Sequence, residues 1–407
     1  MREPLKLNRS LNLVQLVLYG LGTTIGAGIY ALVGELAAMA GYYAPMSFLV
    51  ASVMAALTAL SFAELSGRYP RCAGAALYVK EGFSSQRLST LVGFLVIAAG
   101  LVSAAAIVNG FTAYLGEFVS VDRYAAIIAV TLGFGALAAW GISQSVTIAA
   151  LVTVVEIAGL LLVIAVSYSG LAELPARWQE LVPAPGSGGW YGIYAGSLLA
   201  FYAFIGFEDM VEVAEEARRV RRNLPLAIIL TLACTTLLYM AIMVTAVLAM
   251  PPDQLAQSQV PLARLYEHYT GGDATVISII GLFALINGAL IQLIMASRVL
   301  YGMSSRGLLP PVISRVNRRT QTPLVATALA TGAILLLALS GTLASLAEAT
   351  SLIMLVVFAL VNLSLIRVKR RDPRPEGLIV FPVAVPVLGF VVSAGFVVAE
   401  LLNLFGA

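Results

Sequence analysis

Residues 20–34, GLGTTIGAGIYALVG, lie inside a long apolar run in which glycine recurs at five positions. An intact helix uses its backbone N–H and C=O groups internally, whereas an unwound turn leaves them free for a ligand. Because Gly26-Ala27-Gly28 carries almost no side chain, a small molecule can approach the main chain closely there. The stretch therefore predicts a helix that is broken at a binding site.

A second interruption lies in residues 197–216, SLLAFYAFIGFEDMVEVAEE, where Gly206 is followed closely by Glu208 and Asp209. The first interruption lies in the first of five consecutive apolar stretches. The second interruption lies in the first of the next five. An odd number of spans in each repeat places the two halves in opposite orientations. Glycine-interrupted segments at corresponding positions of two halves indicate the substrate site of an inverted-repeat transporter.

The composition sets the class of protein. Of the 407 residues, 60% are hydrophobic and 11% are charged, and the mean hydropathy is +0.94. A soluble domain carries roughly 25% charged residues, so this chain cannot cover itself with a water-exposed surface. The composition excludes a soluble enzyme, a secreted disulfide-rich protein and a disordered chain, and it predicts a polytopic membrane protein.

The apolar stretches predict an all-α fold, because a membrane span must satisfy its own backbone and needs about 20 apolar residues as a helix. The expected architecture is a single transporter domain, 1–407, with a five-plus-five inverted repeat and discontinuous first and sixth helices. Its halves cover about 12–168 and 191–366, and an extra helix covers about 379–404. The eleven predicted spans are about 12–40, 43–66, 88–118, 124–142, 145–168, 191–214, 224–250, 274–304, 323–340, 343–366 and 379–404.

The basic residues predict the orientation. With the N-terminus in the cytoplasm and successive spans alternating, Arg123, Arg177 and Arg264 are the only ones of the 24 Lys and Arg residues on the outer side. Lys and Arg concentrate in cytoplasmic loops of membrane proteins. We therefore expect a multi-pass protein of the cytoplasmic membrane with its N-terminus inside the cell.

The interruptions also suggest the ligand. The N-terminal end of a half-helix is partly positive and suits a carboxylate, while the carbonyls at the end of the preceding half-helix suit an ammonium group. An α-amino acid carries both charges on one carbon. The alternative for Gly22 and Gly26 is a small-xxx-small pattern that lets two helices pack closely. Glu208 and Asp209 favour the binding site, because acids are poor residues for a simple packing face.

Three segments resemble a known family. Residues 22–34, GTTIGAGIYALVG, resemble the first-helix motif of the amino acid–polyamine–organocation transporters. Residues 201–228, FYAFIGFEDMVEVAEEARRVRRNLPLAI, resemble that family's sixth helix and following loop, and residues 296–317, ASRVLYGMSSRGLLPPVISRVN, resemble its eighth-helix exit. The resemblance implies the five-plus-five inverted repeat of the leucine-transporter type. Most members of the family add a twelfth span to the eleven predicted here.

The resemblance also implies roles for individual residues. The amides of Ala27 and Gly28 hold the carboxylate, Gly26 permits the turn, and the Thr24 carbonyl accepts the amino group. The carbonyls of Tyr202, Ala203 and Ile205 supply further acceptors. One of the four aromatics Phe201, Tyr202, Phe204 and Phe207 gates the site; the alternative for these aromatics is packing in the core or against lipid. The substrate-binding residues predicted in this way are Thr24, Ile25, Gly26, Ala27, Gly28, Tyr202, Ala203, Phe204, Ile205, Phe207 and Glu208, with Phe201 as a further candidate gate.

Glu156 is an acid at the midpoint of the fifth predicted span, in ALVTVVEIAGLLLVI. Ionisable residues at membrane depth are costly and often functional, and a glutamate in apolar surroundings can bind and release a proton near neutral pH. Proton-coupled members of the family often carry a lysine near this point. Glu156 is the predicted proton-coupling residue, and the alternative is a neutral acid bonded to a neighbouring helix. Glu35, Glu64, Glu348 and Glu400 lie towards span ends and are interpreted as structural or solvated.

No motif for a metal, a nucleotide or another cofactor was found, and a coupling proton is expected instead. Sodium is disfavoured because residues 284–293, ALINGALIQL, lack the Ser or Thr hydroxyls that complete a sodium site in sodium-coupled transporters of this fold. The expected partners are the lipid bilayer and a small amino acid or amine, with no nucleic acid.

The sequence thus predicts a secondary active amino acid transporter that works by alternating access, either proton-coupled or as an exchanger. A cationic amino acid or polyamine antiporter of the same fold is the first alternative, with Glu208 as the counter-charge for a second amine. A membrane receptor or structural protein without transport is the other alternative. No Ser/His pair or nucleotide loop points to an enzyme.

Overall fold

The fold was analysed in a computed structural model of the chain. The structure describes residues 11–71, 74–140, 146–305, 307, 309–373 and 375–405, except for the side chains of 27, 146–149, 404 and 405. Apart from the single bridge between Leu11 and Ala217, these residues form helices and the loops that join them.

The α-helices are, in chain order, α1 (Leu13–Ala40), α2 (Ala44–Arg68), α3 (Gly74–Phe83), α4 (Gln86–Gly116), α5 (Arg123–Trp140), α6 (Val146–Val166), α7 (Tyr168–Ala172), α8 (Leu174–Arg177), α9 (Gly189–Tyr202), α10 (Val220–Ala249), α11 (Pro252–Ala256), α12 (Pro261–Thr270), α13 (Thr275–Ser305), α14 (Leu324–Ser340), α15 (Leu343–Arg371) and α16 (Ala384–Phe405). Short 3-10 helices cover Gly41–Tyr43, Trp178–Leu181 and Phe207–Glu216.

The prediction of an all-α polytopic membrane protein is confirmed. Among the described residues, eight segments are long and apolar enough to cross a membrane, and the first of them, Leu13–Arg68, contains both α1 and α2. Two shorter apolar helices, Ala150–Val166 and Leu324–Ser340, lie where the fifth and ninth spans were predicted. Each of the eleven predicted spans therefore has its own helix in the structure.

Three boundaries differ from the prediction. The sixth span was predicted as 191–214, but α9 ends at Tyr202 and the chain continues as a 3-10 helix after Gly206. The tenth helix, α15, extends past residue 366 to Arg371, and the basic residues of its last turn complement the partly negative end of the helix dipole. The last helix begins at Ala384, just after Pro382, whose ring restricts the residue before it.

The start of α1 is fixed by local hydrogen bonds. The Asn12 side chain accepts a hydrogen bond from the Gln15 main-chain N–H, and the Gln15 side chain accepts one from the Asn12 main-chain N–H, which is a capping box. The main chain of Leu11 then pairs with the segment that follows the 3-10 helix after α9, through bonds of 3.0 Å to Glu216 and 2.8 Å from Arg218. The two interrupted segments are thus joined at the point where α1 begins.

The interrupted helices lie in the interior of the bundle. Helix α1 packs against α6, α9, α10 and α13. In the segment Gly189–Glu216, 67% of the most apolar stretch is buried inside the protein, compared with 17% for α16. The added helix α16 is therefore peripheral, and the two glycine-rich interruptions face each other in the centre.

A buried cluster of charges fixes the position at which α16 begins. Glu64, near the end of α2, is fully buried, and its carboxylate accepts hydrogen bonds from Arg68 at 2.8 Å, from Lys369 at 2.7 Å and from the main-chain N–H of Phe381 at 2.9 Å. Removing one partner from a buried ion pair is strongly destabilising. The cluster therefore joins α2, α15 and the chain that enters α16.

A polar contact within the membrane joins the same three helices. Asn362, in α15, is fully buried; its Oδ1 accepts a hydrogen bond from Ser61 at 2.6 Å and its Nδ2 donates one to Thr58 at 2.9 Å. Gly389 of α16 packs so closely that a Cβ there would lie 2.6 Å from Asn362 Oδ1. Polar side chains of this kind hold membrane helices together.

Replacement of Asn362 by Leu is expected to lower the free energy of unfolding by about 0.5–2 kcal/mol, because both interhelical hydrogen bonds are lost. The measurement is the thermal unfolding midpoint of the purified protein in detergent. Thr90→Val is the control, since the Thr90 hydroxyl donates to Gln86 within its own helix. An Asn362→Leu midpoint equal to that of the wild type contradicts the prediction.

Candidate functional site

The first break lies in α1 at Gly26, whose φ and ψ of −15° and −123° are not helical. The turn before it is supported by side chains, since the Thr24 hydroxyl donates to the Gly20 carbonyl at 2.8 Å. A second half-helix follows and runs on to Ala40. The prediction of a discontinuous first helix is therefore confirmed.

The second break covers Ala203–Gly206, directly after α9. The main chain tightens into successive turns, with Ala203, Phe204 and Ile205 each donating to the carbonyl three residues earlier. Gly206 has a φ of +125°, which L side chains rarely adopt. The sixth span is therefore discontinuous as well.

The two breaks are in direct contact. The Thr23 hydroxyl of the first break donates to the Gly206 carbonyl of the second at 2.9 Å. A Cβ at Gly28 would lie 2.5 Å from Ala203 Cα, and a Cβ at Gly206 would overlap the Thr23 carbonyl oxygen. Glycine is required at both positions because each break packs against the main chain of the other.

Tyr239, on α10, bridges the two breaks. Its hydroxyl lies 2.9 Å from the Thr24 carbonyl oxygen and 3.1 Å from the Ala203 carbonyl oxygen. These are two of the carbonyls that were predicted to accept a substrate amino group. The sequence gave no sign of this contact, because Tyr239 lies far from both breaks along the chain.

A small cavity lies at the breaks, with a volume of about 30 Å³. This leaves room for about two water molecules. The cavity is lined by Thr23, Thr24, Gly26, Gly28, Ser103, Ile107, Tyr202, Ile205, Gly288, Ile291 and Gln292.

The structure brings some of the predicted binding residues to this cavity and places others elsewhere. Thr24, Gly26, Gly28, Tyr202 and Ile205 line it. The predicted residues that do not line the cavity are Ile25, Ala203, Phe204, Phe207 and Glu208. The side chain of Ile25 is fully buried. The Ala27 backbone belongs to α1, and its side chain lies outside the described part of the chain.

The aromatic residues of the sixth span divide in the same way. Phe204 packs against Tyr239, with ring centroids 5.3 Å apart, and Phe207 packs against Phe62 at 5.7 Å. Phe201 packs against Phe358. Tyr202 is the one among them that reaches the cavity, where its hydroxyl lies 3.0 Å from that of Ser103. Among the four candidate gates, Tyr202 is thus the one that lines the cavity.

Glu208 caps the second break. Its Oε2 accepts a hydrogen bond from the Gly206 main-chain N–H at 2.9 Å. The side chain thus satisfies a backbone donor that the broken helix leaves free, as carboxylates do at helix N-termini. In this arrangement its carboxylate is turned towards the main chain of the break, and Glu208 is not a lining residue of the cavity.

Three polar lining residues, Thr23, Ser103 and Gln292, were missed by sequence reasoning. Ser103 and Gln292 are polar residues with apolar neighbours on both sides in the third and eighth predicted spans, and both line the cavity. An isolated polar side chain in an apolar span is a signal that could have identified them. The apolar lining residues, Ile107 and Ile291, carry no such signal.

Glu156 lies in the middle of α6 and is fully buried, and neither carboxyl oxygen has a hydrogen-bond partner among the described residues. The Tyr30 hydroxyl, from the second half of α1, donates to the Glu156 main-chain carbonyl at 2.7 Å. Asn287 of α13 interacts with the carboxyl group, although its own amide nitrogen is without a well-formed hydrogen bond. An unpaired carboxylate in such surroundings is very costly.

A second, larger cavity of about 510 Å³ lies beside the second half of α1, where Ala31 and Glu35 line it. Its lining includes Glu35 and Arg123, and the Arg123 guanidinium donates to Asn109 at 3.0 Å. In the orientation predicted above, this cavity is on the outer side. Within the described ranges, no group of three His, Cys, Asp or Glu side chains is placed to hold a metal ion.

Comparisons with known proteins agree with the motifs. A family model described as amino acid permease matches residues 11–405. The chain is 31% identical, over 92% of its length, to cationic amino acid transporter 2, a vacuolar protein of Arabidopsis thaliana. It is 27% identical, over 90% of its length, to a branched-chain amino acid permease of Bacillus subtilis.

The coverage of these relatives differs. The chain spans 62% of the length of the Arabidopsis protein and 82% of the Bacillus protein. It also spans 86% of an uncharacterized transporter of Mycobacterium tuberculosis, with which it is 29% identical. Because the family model covers nearly the whole chain, this protein is a member of the amino acid permease family, within the amino acid–polyamine–organocation superfamily.

Proposed function

We propose that this protein carries amino acids across the membrane by alternating access. The observation that supports this most is the contact between two helix breaks whose main chain is bare at Gly26, Gly28 and Gly206. The cavity between them is too small for an amino acid, so binding requires the two halves to move apart. The names of the relatives support the same substrate class.

We assign the carboxylate of the substrate to the N-terminal end of the second half of α1, at the amides of Ala27 and Gly28. The helix dipole and the free N–H groups favour a negative charge there. We assign the ammonium group to the carbonyls of Thr24 and Ala203. Both carbonyl oxygens lie within hydrogen-bond distance of the Tyr239 hydroxyl, which supports a single binding point for the ammonium group.

We propose that Glu156 is the coupling proton's binding site. Neither of its oxygens has a well-formed hydrogen bond in a fully buried position, and Asn287 is the side chain that interacts with the carboxyl group; a buried charge without a paired counter-charge is costly. Its helix is joined to α1 by the Tyr30 hydroxyl, two residues beyond Gly28. A change of charge at Glu156 can therefore affect the first break, which coupling between proton and substrate requires.

A cationic substrate is the second candidate, and the name of the Arabidopsis relative, a cationic amino acid transporter, favours it. In this alternative the Glu208 carboxylate is the counter-charge for a second positive group. Its cap on Gly206 uses one oxygen, and a carboxylate has a second oxygen available for a cation.

If the substrate carries a second positive charge, Glu208→Gln is expected to weaken L-arginine binding about 10- to 100-fold, the effect of losing a charge-assisted hydrogen bond. L-Leucine binding in the same variant is the control and is expected to change by less than about threefold. The measurement is the dissociation constant of each amino acid with purified protein. Equal losses for both would assign Glu208 to the cap of the second break.

We also propose that the protein lies in the cytoplasmic membrane with its N-terminus inside, as the distribution of basic residues favours. Labelling single cysteines from outside intact cells tests the orientation. A cysteine at the exposed Arg264, in α12, is expected to react, whereas one at Arg222, in the first turn of α10 on the opposite side, is not.

The test of the proposed function is uptake by the purified protein in liposomes. Labelled L-leucine and L-arginine are supplied outside, with or without unlabelled amino acid inside and with or without an inward proton gradient. Accumulation driven by the proton gradient supports symport, and accumulation driven only by internal amino acid supports exchange. Uptake no greater than that of protein-free liposomes under every condition contradicts the proposal.

A further inference from the structure

Tyr239 is a fully buried residue of α10 that belongs to neither break, yet its hydroxyl is within hydrogen-bond distance of a carbonyl in each. Thr24 lines the cavity, whereas Tyr239 itself does not. The hydroxyl therefore lies behind Thr24 as seen from the cavity, and it contacts the main chain of both breaks at once.

The ring of Tyr239 holds the hydroxyl in place. It packs against Phe48 of α2, with centroids 5.6 Å apart, and against Phe204 of the second break at 5.3 Å. These contacts fix the ring on two sides. The position of the hydroxyl is therefore set by α10, by Phe48 of α2 and by the Phe204 ring of the second break.

Two carbonyl oxygens that point at one spot repel each other, because both are the negative ends of dipoles. The hydroxyl hydrogen between them offsets this repulsion. A phenol has one hydrogen, whereas each carbonyl has two lone pairs. The hydroxyl thus uses only a small part of the acceptor capacity of the pair and leaves the rest for an ammonium group, which has three N–H donors.

We propose that Tyr239 is a positioning residue for the substrate's amino group: its hydroxyl holds the Thr24 and Ala203 carbonyls in the convergent arrangement that an ammonium group needs. This inference rests on the amino acid substrate proposed above. It makes Tyr239 a determinant of specificity for ligands that carry an α-ammonium group, with no part in recognising the carboxylate.

The test compares ligands with and without that group. L-Leucine is paired with 4-methylpentanoate, which is leucine without its amino group, and L-arginine is paired with 5-guanidinopentanoate. Affinities are measured by equilibrium binding to the purified full chain in detergent. Tyr239→Phe keeps the ring and removes the hydroxyl. We expect it to weaken the amino acid about three- to tenfold, the effect of one lost hydrogen bond, and to leave the deaminated ligand unchanged.

Tyr114→Phe is the matched control. Tyr114 is also fully buried, and its hydroxyl donates to the main-chain carbonyl of Tyr30 in α1 at 2.9 Å. It does not contact the Thr24 or Ala203 carbonyls. Its removal is expected to leave the ratio of the two affinities at the wild-type value.

The other outcomes overturn the inference. Equal weakening of both ligands in Tyr239→Phe would show a general structural role, and tighter binding of the amino acid would show that the hydroxyl competes with the ammonium group. If neither amino acid binds to the wild type, the proposed function fails, and the inference fails with it. A loss of amino acid affinity that occurs in Tyr239→Phe, and not in the wild type or in Tyr114→Phe, leaves the proposed function intact.

A second variant covers the case in which Tyr239→Phe does not fold. Phe48→Leu keeps the hydroxyl and removes one of the two rings that hold it. We expect a selective loss of about two- to threefold for the amino acid over its deaminated partner. An unchanged ratio in this variant contradicts the positioning role.

Discussion

Gly28→Val is expected to reduce amino acid binding by at least about 100-fold, which corresponds to roughly 2.7 kcal/mol. A Cβ at this position would lie 2.5 Å from the Cα and 2.7 Å from the Cβ of Ala203. The contacted atoms belong to the second break, so the side chain cannot be accommodated by turning a flexible neighbour aside. The larger Val side chain also fills the space proposed for the carboxylate.

The measurement is equilibrium binding of labelled L-leucine and L-arginine to purified protein. Gly93→Val is the matched control, because Gly93 is a glycine of the membrane helix α4 with nothing within 4 Å of an added Cβ. It makes the same change of side chain in open space. Elution of both variants as single peaks in size-exclusion chromatography shows that the effect arises at the breaks and not from loss of the fold.

Gly28→Ala gives the graded version of the same test. The alanine side chain is the Cβ itself, so the two breaks must shift apart by several tenths of an ångström, and we expect an intermediate loss of about tenfold. Wild-type affinity in both Gly28 variants would show that the substrate does not bind at the first break.

Glu156→Gln is expected to abolish the dependence of uptake on a proton gradient while exchange between preloaded vesicles continues. Glutamine has nearly the shape of the protonated acid and cannot release a proton. Neither Glu156 oxygen has a well-formed hydrogen bond in its fully buried position, so a permanent negative charge there is costly. The variant therefore holds the site permanently in the uncharged state.

The measurement is uptake into proteoliposomes with and without an inward proton gradient, together with counterflow at equal pH. Glu348→Gln is the control, since Glu348 is another acid in a membrane helix and lies in the first turn and a half of α15, far along the chain from both breaks. It is expected to respond to the gradient as the wild type does. An equal response of Glu156→Gln to the gradient would make Glu156 structural and place the driving force elsewhere.

The fold could be predicted well because the bilayer limits the choices. A chain with 60% hydrophobic residues has to satisfy its backbone within apolar segments, so each apolar stretch had to be a helix, and each one is. The boundaries that were wrong depended on tertiary contacts. The entry to α16, for example, is held by the Glu64 cluster, whose members come from two helices far apart in the sequence.

The site could be predicted in part. The glycines at 26, 28 and 206 were informative because a break needs residues without side chains, and the structure shows that an added Cβ would meet the opposite main chain at two of the three. Phe204 and Phe207 were predicted among the binding residues, but they do not line the cavity, whereas Tyr202 does. Phe204 and Phe207 are buried against other rings, because the turns of the second break rotate successive side chains in different directions.

The sequence by itself determined which segments cross the membrane, where two of them are interrupted, and which family the chain belongs to. These properties follow from local composition and from short motifs. Only the tertiary structure decided which groups meet at the interruptions: Tyr239 with two carbonyls, Glu208 with the Gly206 amide, and Ser103 and Gln292 with the cavity. The physical reason is that a main-chain carbonyl is the same in every residue, so only the packing of distant helices determines which donor it meets.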